Sequence, residues 1–389
     1  MHKVAQWKTR PADQQPAWPD ETVLWQVHDE LRESPALVRG ADVRTLHGLL
    51  ARVAAGELQV IQSGDCAEDP AEATSGHVAR KSALLDVLAG VMKGRSHKPV
   101  IRVGRLAGQF GKPRSNPTEV VDGVELPVYR GHMVNAPEAD PESRRPDPKR
   151  LISGYRAASD VTALLGWSCD GGAPPVEAPV WTSHEALLLD YESAMLRPEE
   201  DGSLLLASTH WPWIGERTRR LDGAHVAFFA ALANPVSVKV GPGMTPGQLI
   251  ELCERLDPQH RPGRLTLISR MGAGNAAERL PALVRAVHAA GYPVIWLCDP
   301  MHGNTVSTPH GYKTRYVETV AQEVREFQAA VTGNGGVAGG LHLETTPDDV
   351  FECAQDASEA DRIGDKYTSY CDPRLNPCQA ADVVSVWHG

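Results

Sequence analysis

Short apolar runs recur along the chain, and most are followed by a stretch with the hydrophobic spacing of an amphipathic helix. The apolar runs lie at 58–62, 100–103, 179–182, 204–208, 236–240, 265–269, 294–297 and 340–343. The helical patterns lie at 82–92, 185–196, 217–232, 246–256, 276–290, 314–331 and 348–355. Strands that alternate with helices in this way predict an α/β fold, a (β/α)8 TIM barrel. A doubly wound sheet has the same local pattern and stays open as an alternative.

The N-terminal part of the chain lacks this alternation. Residues 1–20 have little pattern, and residues 41–56 carry apolar side chains at helical spacing before Gly56. We therefore expect an N-terminal helical extension over 1–56 and a barrel catalytic domain over 57–389. The segments 132–150 and 170–179 are rich in proline, charge or glycine, which is typical of surface loops.

Composition narrows the partners and the compartment. The 389 residues carry a formal net charge of −10, which argues against nucleic acid as a partner. No apolar run approaches the roughly 20 residues that cross a bilayer, and the first residues lack the apolar segment of a secretory signal. Seven scattered cysteines are typical of a reducing compartment. We expect a cytoplasmic protein with no membrane segment.

Polar side chains follow every predicted strand at the same end. Residues 293–305, PVIWLCDPMHGNT, show this most clearly, because a buried run breaks directly into acidic, imidazole and amide groups. The carboxyl ends of the strands of a barrel converge on one pocket, and that is where such enzymes carry their chemistry. The strand ends therefore predict one active site.

A basic set lies at or near these strand ends. In an acidic protein, such a set predicts an anionic substrate with phosphate and carboxylate groups. Salt bridges to helix carboxylates are the alternative, and for any single member they are the usual role of such a residue. The set consists of Arg105, Lys112, Arg114, Arg217, Lys239, Arg270, Lys313 and Arg315.

A second set offers metal ligands: Cys66, His302, Glu344 and Asp372. One thiolate, one imidazole and two carboxylates suit a divalent metal such as Mn, Co, Fe or Zn. Their spacing carries no motif, so a buried cysteine and a hydrogen-bonded histidine remain the alternative for each taken alone. If Asp372 reaches the metal, Cys371 lies near Cys66, and a disulfide between them would displace the metal. Cys371 could equally be a simple buried thiol.

At these residues the sequence resembles the class II, plant-type 3-deoxy-D-arabino-heptulosonate 7-phosphate (DAHP) synthases. The resemblance implies condensation of phosphoenolpyruvate with erythrose 4-phosphate on a (β/α)8 barrel with a divalent metal, at the entry of the shikimate pathway. Ten segments match in family order between about residues 62 and 376: QSGDCAE, GRLAGQFGKPRS, WTSHE, WIGERT, NPVSVKVGP, LISRMGAGN, CDPMHGNT, KTR, GGLHLE and CDPRLN.

The resemblance also implies residue roles. Cys66, His302, Glu344 and Asp372 would be the metal ligands, and the Cys66–Cys371 pair would be redox-sensitive. Glu216 is a candidate to position or activate the water that adds to the substrate; alternatively it only orients Lys239 or an arginine. Phosphoenolpyruvate would be held by Arg105, Glu216, Arg217, Lys239 and Arg270. The aldose phosphate would be held by Lys112, Arg114, Ser115, Lys313 and Arg315.

The chain departs from the family pattern in three places. His132 stands where the family usually has Asp, and Ser237 where Gly is common. The interval between Ser115 and Glu185 is short, which resembles the short form often found in secondary-metabolite pathways, and predicts weak or absent feedback inhibition by tryptophan and phenylalanine. We expect a homo-oligomer, dimer or tetramer, with chorismate mutase as a candidate partner.

Three other functions remain open. One is condensation of phosphoenolpyruvate with a different phosphorylated aldose. Another is a metal-dependent lyase or hydrolase acting on a phosphorylated sugar. The third is a non-catalytic homologue that acts as a partner protein.

Overall fold

The structure is a computed structural model and describes residues 6–121, 123–167 and 178–389. Cys169 and most of the predicted loop 170–179 lie outside these residues. Within them the α-helices are α1 (Glu21–Glu33), α2 (Gly40–Ala54), α3 (Ser75–Ser96), α4 (Arg150–Leu164), α5 (Leu189–Ala194), α6 (Ala224–Ala230), α7 (Pro246–Leu256), α8 (Asn275–Ala289), α9 (Val317–Thr332) and α10 (Pro377–Ser385). Short 3₁₀ helices lie at Gln6–Thr9, Pro70–Glu72 and Ala357–Arg362.

The strands are shorter than the helices, and several contain only two or three residues. They are β1 (Gln59–Gly64), β2 (Val100–Arg105), β3 (Thr118–Val121), β4 (Val124–Pro127), β5 (Trp181–Thr182), β6 (Leu196–Pro198), β7 (Leu204–Leu206), β8 (Trp213–Ile214), β9 (Val236–Val240), β10 (Leu265–Ser269), β11 (Ile295–Cys298), β12 (Val306–Ser307), β13 (Lys313–Thr314) and β14 (Val337–Glu344).

The chain divides into two compact units. The first unit contains Met1–Val43, Ala67–Val78 and Leu106–Asn234, and the second contains Arg44–Cys66, Ala79–Arg105 and Pro235–Gly389. In the second unit six parallel strands lie side by side in the order β2, β1, β14, β11, β10, β9. Strands β5 and β8 belong to the first unit. The predicted (β/α)8 fold class is confirmed.

Strand β9 shows how this sheet presents polar groups. Its five residues, VSVKV, are all buried, as expected for a parallel strand that is covered on both faces. Side chains alternate along a strand, so the three valines share one face while Ser237 and Lys239 share the other. The pattern therefore buries a lysine at the carboxyl end of the strand.

The pairing of β1 with β14 depends on a glycine. Gly340 has a φ of +149°, and a Cβ there would lie 1.9 Å from the carbonyl oxygen of Val60. No side chain fits between these backbones, so the two strands approach closely. Their register pairs Gly64 with Glu344, which places Glu344 beside the strand end that leads into Cys66.

The predicted fourth strand is wrong in position. Leu204–Leu206 is β7, which pairs antiparallel with β6 in the first unit and is therefore not a parallel barrel strand. The apolar run is explained by burial, because Leu205 and Ala207 pack in a core cluster with Val38 and Val43. Burial and membership of the barrel sheet produce the same run of apolar residues.

The predicted helix at 348–355 is also wrong. Two backbone amides of this segment donate to carbonyl oxygens that are distant in the sequence, and not to those four residues earlier, as an α-helix requires. Phe351 donates to Lys366 and Ala354 donates to Arg315. Helices α1, α4 and α10 were not predicted. No helix among the described residues combines the length and the apolar character that crossing a bilayer requires.

Candidate active site

Three of the four predicted metal ligands meet in the second unit. Ligand atoms of Cys66, Glu344 and Asp372 all lie within 4.8 Å of one another, and a group of this kind can hold a metal ion. The backbone amide of Asp372 donates to the sulfur of Cys66 at 3.4 Å, and the thiol donates to Asp372 Oδ2 at 3.6 Å. Cys66 and Glu344 are buried, whereas Asp372 is half-buried.

His302, the fourth predicted ligand, lies directly beside this group. Its Nε2 is 3.1 Å from Glu344 Oε1, and its Nδ1 is 2.8 Å from Asp299 Oδ2. A carboxylate on the second nitrogen is the usual way to orient a metal-binding imidazole. The donor set of one thiol, one imidazole and two carboxylates therefore fits a divalent first-row metal.

Asp299 links His302 to the buried lysine of β9. The ammonium of Lys239 donates to Asp299, whose side chain is completely buried. Burial alone would raise the pKa of Asp299, but His302 and Lys239 hold it well below its usual value. Burial lowers the pKa of Lys239 to about 8, against the opposing effect of Asp299 and with the help of Arg105 and Arg270. Asp299 was left unassigned by the sequence pattern.

Two buried arginines hold Glu344 from either side. Arg105 Nη2 is 3.0 Å from Oε1, and Arg315 Nη1 is 2.9 Å from Oε2. Arg105 also contacts His342. Burial alone would lower the pKa of Arg315, but Glu344 and Asp372 raise it overall. Arg315 thus contacts a predicted metal ligand, and its role toward the aldose phosphate stays a prediction.

The segment that carries Asp372 is fixed by groups that sequence reasoning missed. Arg374 donates to Asp65 Oδ1 at 2.8 Å and to Glu352 Oε1 at 2.9 Å. Glu352 also accepts from the backbone amides of Thr368 and Ser369, at 3.0 and 2.8 Å. Asp65 directly precedes Cys66, and Arg374 lies two residues after Asp372, so one guanidinium joins the two ligand segments. The sequence signal that could have identified Asp65 and Arg374 was their position next to the predicted ligands, in the segments SGDCAE and CDPRLN.

Two further predicted cations contact the same group. Lys313 Nζ lies 2.9 Å from Asp372 Oδ1, and Arg270 Nη2 donates to the carbonyl oxygen of His302 at 3.0 Å. Lys313 is exposed and Arg270 is half-buried. The second unit thus brings together nine of the predicted site residues: Cys66, Arg105, Lys239, Arg270, His302, Lys313, Arg315, Glu344 and Asp372.

The remaining predicted residues lie in the first unit. Arg217 donates to Ser115 Oγ at 2.6 Å, and both residues are exposed. Arg114 pairs with Glu119 at 3.2 Å. Lys112 is buried, and its backbone amide donates to the carbonyl oxygen of Arg130 at 2.8 Å.

Glu216 and His132 also have partners within the first unit. Arg219 donates to Glu216, so an arginine orients this carboxylate. Tyr129 Oη lies 2.7 Å from His132 Nδ1, and burial lowers the pKa of His132 despite the opposing effect of Asp69.

Cys66 and Cys371 are the two members of the predicted redox-sensitive pair. Cys66 is buried and Cys371 is half-buried, so neither is a fully exposed thiol. The disulfide between them stays a prediction.

Comparison with known proteins gives full-length matches. The Class-II DAHP synthetase family model matches residues 2–179 and 173–386. A probable phospho-2-dehydro-3-deoxyheptonate aldolase of Pseudomonas fluorescens is 56% identical over 375 residues, 96% of this chain and 94% of the relative. Phospho-2-dehydro-3-deoxyheptonate aldolases of Streptomyces coelicolor and Mycolicibacterium smegmatis are 39% and 38% identical, over 97% and 96% of this chain and 95% and 91% of the relatives.

Proposed function

The chain belongs to the class-II DAHP synthetase family, and we propose that it condenses phosphoenolpyruvate with erythrose 4-phosphate. The products are DAHP and phosphate, in the first step of the shikimate pathway. The observation that carries the proposal is the 56% identity to a relative named for this activity over 96% of the chain. The grouping of thiol, imidazole, carboxylates and cations in the second unit supports it.

Cys66, His302, Glu344 and Asp372 would hold a divalent metal, with manganese first and cobalt, iron or zinc as alternatives. When bound, the metal supplies a Lewis acid that polarises the carbonyl oxygen of the aldose. The protein prepares this site through Asp299, which orients His302 (2.8 Å), and through the arginines that fix Glu344. A ligand set that is already held in place loses little conformational freedom on binding.

Phosphoenolpyruvate would be held by Arg105, Lys239 and Arg270 of the second unit, together with Glu216 and Arg217. Its phosphate and carboxylate carry the negative charge that these cations match. The side chain of Lys239 is 6% exposed, and the interaction of such a charge with an anion is weakened little by solvent. The buried cations would therefore provide most of the affinity for phosphoenolpyruvate.

The reaction requires that two anions react without repelling each other. Carbon C3 of phosphoenolpyruvate forms the new bond to the aldehyde carbon, whose oxygen takes a proton. Water then adds to C2, and the resulting hemiketal releases phosphate. Glu216 is our candidate to position or activate that water, and the contact from Arg219 would orient its carboxylate. The cations bring the two anions together, which removes the entropic cost of their encounter.

Lys112, Arg114 and Ser115 are proposed to hold the phosphate of the aldose, with Lys313 and Arg315. For Arg315 the proposal includes a second role, because it contacts Glu344 at 2.9 Å. An extension over 1–56, a barrel domain over 57–389, a cytoplasmic location, a dimer or tetramer, and a chorismate mutase partner remain proposals. So does a place in secondary metabolism.

The proposal is tested by following phosphate release from phosphoenolpyruvate with erythrose 4-phosphate, before and after treatment with EDTA. We expect turnover that is lost with EDTA and restored by Mn²⁺. Arabinose 5-phosphate and ribose 5-phosphate as acceptors test the alternative of a different aldose. The absence of phosphoenolpyruvate consumption with every acceptor would contradict the activity and favour a non-catalytic partner protein.

The metal assignment and the short-form assignment have their own tests. Cys66→Ala should abolish metal-dependent turnover, and full turnover in this variant would contradict the ligand set. Tryptophan and phenylalanine at physiological concentrations should leave the rate of the purified enzyme essentially unchanged. Clear inhibition by either would refute the prediction of weak feedback control.

A further inference from the structure

Asn304 uses its whole side-chain amide to connect two loops. We call residues 270–274, after β10, the β10 loop, and residues 299–304, after β11, the β11 loop. Within the β11 loop, Asn304 Nδ2 donates to the carbonyl oxygen of Pro300 at 2.9 Å. Across to the β10 loop, Asn304 Oδ1 accepts from the amide of Ala273 at 3.0 Å. A reversed amide would place donor against donor, so these partners fix its orientation.

Glu323 is the second residue that connects the β10 loop and the β11 loop. It lies on α9, is completely buried, and accepts from Asn304 Nδ2 at 2.7 Å and from the amide of Gly272 at 2.8 Å. One carboxylate thus bonds to both loops. Burial raises the pKa of Glu323 to about 8, although both of these hydrogen bonds oppose the shift. A buried acidic group is costly unless its oxygens are hydrogen-bonded, and here the two loops supply those hydrogen bonds.

The two loops carry groups of different function. Arg270, in the β10 loop, is a proposed ligand of phosphoenolpyruvate, and His302, in the β11 loop, is a proposed ligand of the metal. Their backbones touch, because a Cβ at Gly303 would lie 2.3 Å from the amide nitrogen of Gly272. Arg270 itself donates to the carbonyl oxygen of His302 at 3.0 Å. A shift of either loop therefore moves both groups.

We propose that Asn304 and Glu323 are a positioning pair that sets the affinities for the metal and for phosphoenolpyruvate together. The inference rests on the proposed function, because that function gives Arg270 and His302 their roles. The pair touches neither substrate nor metal and acts by fixing the two loops against each other. Loosening it changes the direction of the His302 imidazole and of the Arg270 guanidinium at once.

The primary test is Glu323→Gln in the full-length enzyme. The amide keeps the shape of the carboxylate, but its NH₂ group faces either the amide of Gly272 or Asn304 Nδ2, both of which are donors. We expect Mn²⁺ to bind about tenfold more weakly, the usual scale for loss of an outer group at a metal site. The KM for phosphoenolpyruvate should rise by a similar factor. Free Mn²⁺ is measured by electron paramagnetic resonance and KM by steady-state kinetics.

Glu326 provides a matched control on the same helix. It accepts from the amide of Gly274, also in the β10 loop, at 2.7 Å, but the structure gives it no contact with Asn304. Glu326→Gln makes the same chemical change beside the same loop, its amide oxygen can still accept from Gly274, and both affinities should stay unchanged. If Glu323 had a purely structural role, Glu323→Gln would lower the thermal stability and leave both affinities unchanged.

A second variant keeps the proposal testable if Glu323→Gln does not fold. Asn304 is only half-buried, and Asn304→Ala should weaken both affinities in the same way. Because the two residues act as a unit, the double variant should be no worse than the worse single variant. The proposal is overturned if a folded variant keeps both wild-type affinities, or if only one of the two affinities changes.

Failure of the proposed function is distinguished by a separate variant. His302→Ala should bind Mn²⁺ far more weakly than the wild type. If it binds Mn²⁺ normally, the ligand assignment is wrong. If it loses Mn²⁺ while Glu323→Gln and Asn304→Ala behave as wild type, the ligand assignment stands and only the positioning pair is refuted.

Discussion

The cations of the two units differ in their surroundings. In the second unit Arg105, Lys239 and Arg315 are 1%, 5% and 0% exposed, and each contacts a buried carboxylate. In the first unit Arg217 is exposed and donates to the hydroxyl of Ser115. Arg114 pairs with Glu119, and their side chains are 19% and 28% exposed. The same residue types at predicted strand ends therefore occur in two electrostatic environments.

The difference predicts which cations contribute to the stability of the protein. Removing one partner of a buried ion pair leaves an uncompensated charge, at a cost of about 3–5 kcal/mol. An exposed pair contributes about 0–1 kcal/mol, so its loss is tolerated. Substitutions of the buried cations Arg105, Lys239 and Arg315 should therefore change stability and function together, whereas those of Arg114 and Arg217 should separate them.

The largest expected effect is that of Lys239→Met. The variant removes a cation proposed to bind phosphoenolpyruvate and leaves the buried carboxylate of Asp299 with one partner fewer. We expect kcat/KM for phosphoenolpyruvate to fall about 10²–10³-fold, with a lowered Tm. Lys93→Met, at an exposed position of α3, is the control and should change neither. A kcat/KM for phosphoenolpyruvate within twofold of the wild-type value would contradict the proposed role of Lys239.

Arg374→Lys should have the next largest effect. Lysine keeps the charge but has one nitrogen in place of the two guanidinium nitrogens that donate to Asp65 and Glu352, so the contact that joins the segments carrying Cys66 and Asp372 is weakened. We expect Mn²⁺ to bind about 10–100-fold more weakly, measured by titration of the metal-free enzyme. Arg80→Lys, in an exposed pair with Asp348, should bind Mn²⁺ normally. Equal affinities in the two variants would contradict this expectation.

The pH dependence of phosphoenolpyruvate binding should reflect Lys239. Its pKa is about 8, under the influence of burial, Asp299, Arg105 and Arg270, so the ammonium is charged below this pH and neutral above it. Affinity for the substrate anion should therefore fall as pH rises through about 8, approaching tenfold per pH unit. Lys239→Arg should remove the inflection from the profile of kcat/KM against pH. An unchanged profile would assign the inflection to another group.

The same shift predicts the sign of a stability effect. The pKa of Lys239 is lower in the folded protein than the ordinary value of about 10.4, so between about 8 and about 10.4 the unfolded chain binds the proton more strongly. This residue therefore contributes more to the free energy of unfolding as pH rises across that window.

The smallest effect is expected in the first unit. Arg114→Ala should raise the KM for erythrose 4-phosphate several-fold, because it removes one proposed phosphate contact, and should change the free energy of unfolding by less than about 0.5 kcal/mol. Chemical denaturation and steady-state kinetics provide the two measurements. Arg145→Ala, at an exposed position of the same unit, is the control. A large loss of stability would show that Arg114 resembles the buried cations instead.

Hydrophobic pattern predicted the parallel strands of the second unit well, because strands such as β9 and β10 are continuous buried runs. It failed at β7, where an equally apolar run packs in a different core cluster. It also missed the two-residue strand β8, which is too short to form a pattern. Periodicity reports that a segment is buried but not which neighbour buries it.

The candidate site was predictable in its members but not in their connections. Cys66, His302 and Glu344 follow strands, and family motifs identified Asp372. Nothing local indicated that Asp299 would serve Lys239 and His302 together, or that Glu352 would bond to Arg374. These partners are far apart in the sequence, and only the folded chain decides which buried carboxylate meets which cation.

Gly340 sets a limit for anyone who wishes to redesign this enzyme. Its missing side chain lets β14 lie against β1, and the resulting register holds Glu344 level with Gly64. A library that randomises position 340 should therefore contain few active clones other than those that keep glycine. Variation that aims at a new acceptor sugar belongs instead at exposed positions such as Ser115 and Arg217, where directed evolution can sample side chains without moving a metal ligand.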